Sequence, residues 1–234
     1  MLQMPLNGLY RPAQENVTQP WLLVLMHGVG SNAEDLFGLA GYVPPQYHVI
    51  SLEAPFAMGG EAYAWFMFSV HADGSRSIDA AQEQHSRALV AQTVQQASEQ
   101  LGVPAERVIV GGFSQGGIMS LSLLLTQPEL LAGVCIWHSR LLPEALPLQV
   151  PAEQLQGRSA WVSHGLQDNV IPLTSAHAIR SHLQALPLAL AYSEYPCAHS
   201  IHPQELQDSM RWLSDCISRA KNQSAQGAIH QPLR

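Results

Sequence analysis

The chain has 234 residues, a formal net charge of −7 and only 12% charged residues. This composition excludes a basic nucleic-acid-binding surface, and the length suits one domain with a substantial core. No apolar run approaches the roughly 18 residues that span a bilayer, so we expect no integral membrane segment. Residues 1–12 show no secretory signal and the three cysteines cannot all pair, so we expect a cytoplasmic protein with reduced thiols.

Apolar segments and helical patterns alternate along the chain, which indicates an α/β fold: a single domain with a mostly parallel central sheet and helices on both faces. In chain order, strands are predicted over residues 21–26, 47–52, 107–110, 131–137, 159–163 and 188–195. Helices are predicted over residues 79–101, 118–125 and 175–183, and a last helix begins at Pro203. The segments 54–77 and 141–156 are expected to be irregular. The domain is expected to cover residues 1–219, and the polar residues 220–234 to form a flexible C-terminal tail.

The most informative segment is Gly112-Phe113-Ser114-Gln115-Gly116, which lies between an apolar strand and an apolar helix. It fits the G-x-S-x-G nucleophile elbow, in which a serine occupies a sharp turn from a strand into a helix. Side chains at positions 112 and 116 would crowd this turn, which explains the two glycines. Free N–H groups at the start of the helix point at whatever the serine attacks. The context therefore predicts that Ser114 is a nucleophile.

A serine nucleophile needs a base, and the base needs a carboxylate that holds its tautomer. In proteins with this elbow, the acid and then the histidine follow the serine along the chain. Asp168 follows a predicted strand and a glycine turn, and His199 follows the last predicted strand. Ligand-facing residues gather at the carboxyl ends of parallel strands. We therefore expect Asp168 and His199 to complete a triad with Ser114.

Other readings of these side chains stay open at this point. His202 competes with His199 for the role of the base, but it directly precedes Pro203 at a helix start, where a surface position is expected. Asp168 is also compatible with a simple loop or capping carboxylate, and Asp215 comes too late, on the last helix.

An oxyanion requires two hydrogen-bond donors, one of them from the residue after the nucleophile. We expect these donors to be the backbone N–H groups of Gln115 and Val29, the latter in the glycine-containing loop after the first predicted strand. His27 begins the same loop and is expected to brace it rather than to act as a catalyst.

These segments resemble the phospholipase/carboxylesterase family of α/β-hydrolases, which includes acyl-protein thioesterases and bacterial carboxylesterases. The similar segments are residues 25–32, 112–117, 164–168 with Ile171-Pro172, and 195–199, so the resemblance spans roughly residues 20–217. It implies a compact α/β-hydrolase without a large lid. It also implies hydrolysis of short to medium acyl esters or thioesters through an acyl-enzyme intermediate.

The chain departs from the family pattern at two positions. Ala198 stands where the family usually has a glycine just before the catalytic histidine, and Met67 replaces an acidic residue beside the aromatic segment. The second change makes the substrate pocket more apolar. Trp65 and Phe66 are candidates for substrate binding, with core packing as an equal alternative, and Leu166 is a third candidate.

Two functions from other classes compete with a serine hydrolase. Residues 28–33 match the relaxed G-x-G-x-x-A dinucleotide fingerprint, with Glu53 at the distance of a ribose-binding acid. Glu34 and Asp35 oppose this function, because they would repel a pyrophosphate at the helix start. The second alternative is a hydrolase-fold binding module that has lost catalysis, although competent residues fill every functional segment.

The remaining expectations concern cofactors and partners. We expect no cofactor, and no metal either, because His199 and His202 are spaced too closely and lack a third ligand in register. The expected partner is a small-molecule or acylated substrate and not a nucleic acid; a homodimer is left open.

Overall fold

The computed structural model describes residues 2–73 and 76–229 of the chain. Its strands are β1 (Gly8–Arg11), β2 (Trp21–Met26), β3 (Tyr47–Leu52), β4 (Phe56–Gly59), β5 (Ala62–Ala64), β6 (Phe68–Val70), β7 (Arg76–Ile78), β8 (Val108–Phe113), β9 (Gly133–Trp137), β10 (Ser159–Gly165) and β11 (Ala189–Tyr195). Its α-helices are α1 (Ala33–Phe37), α2 (Ala80–Leu101), α3 (Gln115–Thr126), α4 (Leu173–Gln184) and α5 (Pro203–Ile229). None of the helices in the described part of the chain is long and apolar enough to cross a membrane.

The central sheet has seven strands in the order β1-β3-β2-β8-β9-β10-β11. β1 pairs antiparallel with β3, and every other neighbouring pair in this sheet is parallel. The carboxyl ends of the parallel strands therefore share one edge, and the loops that follow β2, β8, β9, β10 and β11 meet there. This arrangement brings distant parts of the sequence to a single place.

Helices cover both faces of the sheet, because successive side chains of each buried strand point to opposite faces. In β2, Leu22 and Val24 pack with residues of α2, α3 and α4, whereas Leu23 and Leu25 pack with residues of α1 and α5. The two cores confirm the predicted α/β fold with helices on both faces. The buried strands and the apolar faces of the helices pack against each other, as predicted.

The predicted strands and helices all occur, with ends that differ by a few residues. α2 begins after Asp79, whose side chain accepts a hydrogen bond from the N–H of Gln82, and it ends at Gly102 in a left-handed conformation (φ 63°). Asp79 and Gly102 are thus the N-cap and the C-terminal stop of this helix.

Three features differ from the sequence-based expectation. β1 was not predicted, because a four-residue edge strand with alternating part exposure lacks an apolar run. The segment expected as a loop over residues 54–77 contains two antiparallel hairpins, β4–β5 and β6–β7. α5 continues through Ile229, although the tail was expected to begin at residue 220, since residues such as Ala220 and Lys221 favour helix. Residues 230–234 of that predicted tail lie outside the described residues.

Candidate active site

Ser114 lies at the sharp turn between β8 and α3, as predicted. Its backbone has φ 54° and ψ −115°, a strained conformation for a non-glycine residue. A Cβ at Gly112 would overlap the backbone of Gly116, and a Cβ at Gly116 would overlap the carbonyl oxygen of Met26. The turn is held by hydrogen bonds from Ser114 N–H to Trp137 O (3.0 Å) and from Ser139 Oγ to Ser114 O (3.0 Å).

The structure brings Ser114, His199 and Asp168 together in one hydrogen-bonded row. His199 Nε2 lies 3.0 Å from Ser114 Oγ, and His199 Nδ1 lies 2.7 Å from Asp168 Oδ2. Asp168 is on the loop after β10, and His199 is on the loop after β11. Ser114 is buried, with 7% of the residue exposed. The arrangement can move a proton from the hydroxyl to the imidazole.

Both oxygens of Asp168 accept hydrogen bonds. Oδ1 accepts from the backbone N–H groups of Val170 (2.9 Å) and Ile171 (2.8 Å), and Oδ2 faces His199 and His138 (3.1 Å). Burial opposes ionisation of the carboxyl, but the hydrogen bonds from His199, Ile171, His138 and Val170 outweigh it and lower its pKa below the usual value. Asp168 is therefore a fixed, ionised acceptor, which goes beyond the loop or capping role considered as its alternative.

The structure separates His199 from its competitor His202, and Asp168 from Asp215. The N–H of Gln204 is bonded to His202 Nδ1 (3.2 Å), and the N–H of His202 is bonded to Glu205 Oε2 (2.9 Å). This reciprocal pattern is a capping box at the start of α5, so the ring of His202 serves the helix end. Asp215 is exposed on α5. Neither residue takes part in the row that contains Ser114.

The loop after β2 is braced by His27, as expected. His27 is fully buried; its Nδ1 lies 2.7 Å from Gly28 O, and its Nε2 accepts a hydrogen bond from Ala54 N–H (3.2 Å). Burial lowers the pKa of His27, which fits a neutral ring with one donor and one acceptor nitrogen. In the described part of the chain, the backbone N–H groups of Val29 and Gln115 donate to no protein acceptor. Both predicted oxyanion donors thus remain available for a ligand.

Trp65 and Phe66 are core residues in this structure, with exposures of 0% and 1%. The Gln115 side chain clamps them: Trp65 N–H donates to Gln115 Oε1 (2.8 Å), and Gln115 Nε2 donates to Phe66 O (2.7 Å). Trp65 Nε1 also donates to His27 O (2.9 Å). The expected substrate contact of Trp65 and Phe66 is thus replaced by the packing alternative, because a planar amide bonded on both sides holds the segment inside the core.

A cleft of about 320 Å³ opens beside His199. Its lining is mainly apolar and comprises Asp35, Leu36, Leu39, Phe113, His199, Ser200 and Ile201. The Phe113 ring packs against the imidazole of His199, with 4.8 Å between ring centroids. Leu166 is 50% exposed two residues before Asp168, but it is not part of this lining. Its role in substrate binding stays a prediction.

The loop that carries His199 accommodates Ala198 without backbone strain, because Ala198 is not among the non-glycine residues with positive φ in the described part of the chain. A Cβ at Gly165 would meet the carbonyl oxygens of Cys197 and Ala198, whereas the N–H of Ser200 donates to Ala198 O (2.9 Å). The position near this loop that requires a glycine is therefore Gly165, at the end of β10.

Sequence reasoning missed the buried polar side chains behind Asp168. His138 directly follows β9 and is bonded to Asp168 and to Glu205, while His164 lies 3.4 Å from Asp168 Oδ2 and 2.8 Å from Ile171 O. All three missed residues, His138, His164 and Glu205, are fully buried. His138 occupies the same kind of position as Asp168 and His199, a loop after a parallel strand, and that position was the available signal.

Two groups of side chains bring three potential metal-ligating atoms within 4.8 Å of one another. They are His138, Cys197 and Glu205, and His138, His164 and Asp168. Both groups share His138, whose two nitrogens already face carboxylate oxygens of Asp168 and Glu205. Hydrogen bonding accounts for this proximity, so the absence of a metal ligand set remains a prediction.

The family model for phospholipase/carboxylesterase matches residues 13–217. A probable carboxylesterase of Oryza sativa subsp. japonica is 30% identical over 122 residues, which is 51% of this chain and 46% of the relative. An acyl-protein thioesterase 1 of Gibberella zeae is 32% identical over 115 residues, covering 48% and 49%. This chain thus spans about half the length of these two curated relatives. An acyl-protein thioesterase 1 of Kluyveromyces lactis is 26% identical over 229 residues, covering 92% and 99%.

Solved structures show the same fold at low sequence identity. The Bacillus cereus carboxylesterase aligns with a TM-score of 0.77 and 17% identity, over 90% of this chain and 94% of that one. Esterase PE8 aligns with a TM-score of 0.76 and 24% identity, over 90% and 99%. These alignments support the single α/β architecture described above.

Proposed function

Because the chain belongs to the phospholipase/carboxylesterase family of α/β-hydrolases, we propose that it is a serine hydrolase that cleaves carboxylic esters or thioesters of short to medium acyl chains. The observation that carries this proposal is the row from Ser114 Oγ through His199 to Asp168, with separations of 3.0 and 2.7 Å. These are hydrogen-bonding distances for a nucleophile, its base and the carboxylate that orients the base.

In the first half of the proposed reaction, Ser114 Oγ attacks the carbonyl carbon while His199 Nε2 takes the hydroxyl proton. Asp168 holds the Nδ1–H tautomer and stabilises the positive charge that forms on the ring. The unpaired N–H groups of Val29 and Gln115 are proposed to bind the oxygen of the tetrahedral intermediate. His199 then protonates the leaving alcohol or thiol, and the acyl group stays on Ser114.

In the second half, water attacks the acyl-enzyme and His199 takes its proton. Release of the carboxylic acid returns Ser114 to its starting state. The cleft beside His199 is proposed to hold an apolar part of the substrate, because Leu36, Leu39 and Ile201 line it. These steps use side chains and amides of the chain for every proton transfer and charge, so we propose no cofactor or metal step.

The two alternative functions have less support. Acidic Glu34 and Asp35 fill the first turn of α1, which disfavours a pyrophosphate at that helix start. No comparison supports a dinucleotide-binding protein. A binding module without catalysis would not need the strained Ser114 conformation or its bond to His199.

We also propose a reducing compartment such as the cytoplasm as the location. Cys135, Cys197 and Cys216 are all free in the structure, and two of them are buried. Burial raises the pKa of each of these thiols, so none is held as a reactive thiolate.

Hydrolysis of p-nitrophenyl butyrate by Ser114→Ala tests the proposal. We expect kcat to fall by roughly 10⁴- to 10⁶-fold, because the nucleophile and the acyl-enzyme are lost. Ser218→Ala removes an exposed hydroxyl on α5 and is expected to keep the wild-type rate. A Ser114→Ala rate within tenfold of wild type would contradict the mechanism.

The pH profile gives an independent check. His199 must be neutral to accept the proton, so kcat/KM is expected to rise with pH along an acidic limb and then to reach a plateau. A rate that falls as the pH rises through 7 is incompatible with His199 as the base.

A further inference from the structure

A buried row of titratable side chains continues behind Asp168, on the side away from Ser114. His138 Nδ1 lies 3.1 Å from Asp168 Oδ2, and His138 Nε2 lies 3.2 Å from Glu205 Oε2. The side chains of all three residues are 0% exposed. The backbone of His138 is left-handed (φ 50°), so its ring is held in this position against the usual backbone preference.

The hydrogen bonds of this row require one more proton than a neutral His138 between two ionised carboxylates supplies. A neutral imidazole has one donor nitrogen and one acceptor nitrogen, whereas an ionised carboxylate only accepts. With a neutral ring, one nitrogen lone pair of His138 would face a carboxylate oxygen at about the distance of a hydrogen bond. A protonated ring donates on both sides, and its single positive charge partly offsets the charges of the two buried carboxylates. The geometry therefore favours the imidazolium.

Other groups around His138 do not supply an alternative partner for its nitrogens. The ring of His164 lies 5.2 Å away between centroids, and its Nε2 is bonded to Ile171 O. The ring of His199 lies 5.7 Å away and is perpendicular to that of His138. The titratable groups that face His138 come from four places. They are Asp168 on the loop after β10, His199 and Cys197 on the loop after β11, His164 in β10, and Glu205 in α5.

We propose that His138 is an imidazolium fixed between Asp168 and Glu205, and that this cation sets the pH at which His199 becomes an active base. His138 and Glu205 are then positioning residues that act through Asp168. A cation close to His199 disfavours protonation of His199. It also partly compensates the negative charge of Asp168, which otherwise stabilises protonated His199. The base therefore becomes active at a lower pH. This inference rests on the proposed roles of Asp168 and His199.

The pKa of His138 supports the same state. Burial lowers it, but the hydrogen bonds and charges of Glu205 and Asp168 outweigh the burial and raise it above the usual histidine value. Glu205 is itself fixed, because its Oε2 also accepts the N–H of His202 in the capping box of α5. The start of α5 is thereby connected to the active site.

The protonation state can be measured in the wild-type chain by long-range ¹H–¹⁵N NMR of the imidazole rings at pH 7.5. We expect protons on both ring nitrogens of His138, assigned by their loss in His138→Asn; asparagine tolerates the left-handed backbone at this position. His27 serves as an internal reference, with one protonated and one bare nitrogen. A bare nitrogen on His138 at this pH would overturn the proposal.

The consequence for catalysis is measured by the pH profile of kcat/KM for Glu205→Gln and His138→Asn. His138→Asn removes the cation next to Asp168, and Glu205→Gln removes one of the two carboxylates that hold its proton, so we expect the midpoint of the acidic limb to rise by roughly 0.5 to 1 pH unit. Glu194→Gln is the matched control, because it breaks a similar carboxylate–histidine bond (to His177, 2.8 Å) away from the site. Its midpoint is expected to match that of the wild type.

The outcomes separate this inference from the proposed function. If both variants lose activity equally at all pH values with an unmoved midpoint, His138 and Glu205 are merely structural and the inference is wrong. If the wild type shows no Ser114-dependent hydrolysis, the proposed function fails, and the NMR measurement still decides the state of His138.

Discussion

At the scale of single residues, Asp168 contacts more groups of the site than the sequence predicted. Its two oxygens accept hydrogen bonds from its own loop and face the rings of His199 and His138. One carboxylate thus fixes a base on one side and a buried pair on the other. Because the contacts come from separate loops, they also hold the edge of the sheet together.

Asp168→Asn is expected to lower the free energy of unfolding at pH 7. The pKa of Asp168 is depressed in the folded state, so its stabilising contribution is present above about pH 4 and is lost as the pH falls through the folded value. The difference between wild type and variant should therefore narrow in acid, as measured by urea unfolding between pH 7 and pH 3. A difference that stays constant over this range would show that ionisation of Asp168 does not contribute.

The residues that could be predicted were those with a chemical signature at a strand end. Ser114 was found from the elbow, and Asp168 and His199 were found from their place after predicted strands. Glu205 could not be found in this way, because an acidic residue in the first turn of a helix usually caps the helix and interacts with its dipole. The place of Trp65 stayed open between substrate binding and core packing, because sequence alone does not show whether an aromatic side chain points into a cleft or into the core.

At the scale of elements, the elbow depends on backbone contact between β2, β8 and α3. Gly116→Ala places a methyl group on the carbonyl oxygen of Met26, which is backbone and cannot rotate away. We expect a loss of about 2 to 4 kcal/mol in unfolding free energy and a displaced Ser114. Gly41→Ala, where a Cβ would meet nothing within 4 Å, is the control and should change stability by less than about 0.5 kcal/mol. Equal stability of the two variants would contradict this account of the elbow.

The two hairpins between β3 and α2 are attached to the elbow through Gln115. Gln115→Leu keeps the size of the side chain but leaves the Trp65 N–H and the Phe66 carbonyl without partners in the core. We expect a cost of about 2 to 6 kcal/mol, since each of the two buried orphans costs about 1 to 3 kcal/mol. Gln95→Leu on the exposed face of α2 is the control, measured by the same thermal or urea unfolding. If Gln115→Leu is as stable as this control, the clamp does not hold the segment.

These hairpins also show where prediction from sequence stops at this scale. β4, β6 and β7 have mainly exposed side chains, so no alternation of apolar and polar residues marks them. The position of the β4–β5 hairpin comes from long-range bonds such as Gly30 N–H to Tyr63 O (2.8 Å). By contrast, β2, β8 and β9 are buried along nearly their whole length and could be predicted from their apolar runs.

At the scale of the whole molecule, the parallel sheet is what makes a site from distant residues. Ser114, Asp168 and His199 belong to three loops, and they meet because β8, β10 and β11 end at the same edge. The fold class followed from the alternation of strands and helices. The additional buried row through His138 and Glu205 did not follow from it, because it requires α5 to pack against the sheet in one specific position.

The central claim is that Ser114 is a nucleophile activated by His199, and labelling with a fluorophosphonate probe tests it most directly. The account predicts a single adduct, located by mass spectrometry on the peptide that contains Ser114, and labelling slowed by roughly 100-fold or more in His199→Ala. An adduct on another residue, or equally fast labelling of Ser114 without the imidazole, would contradict the account.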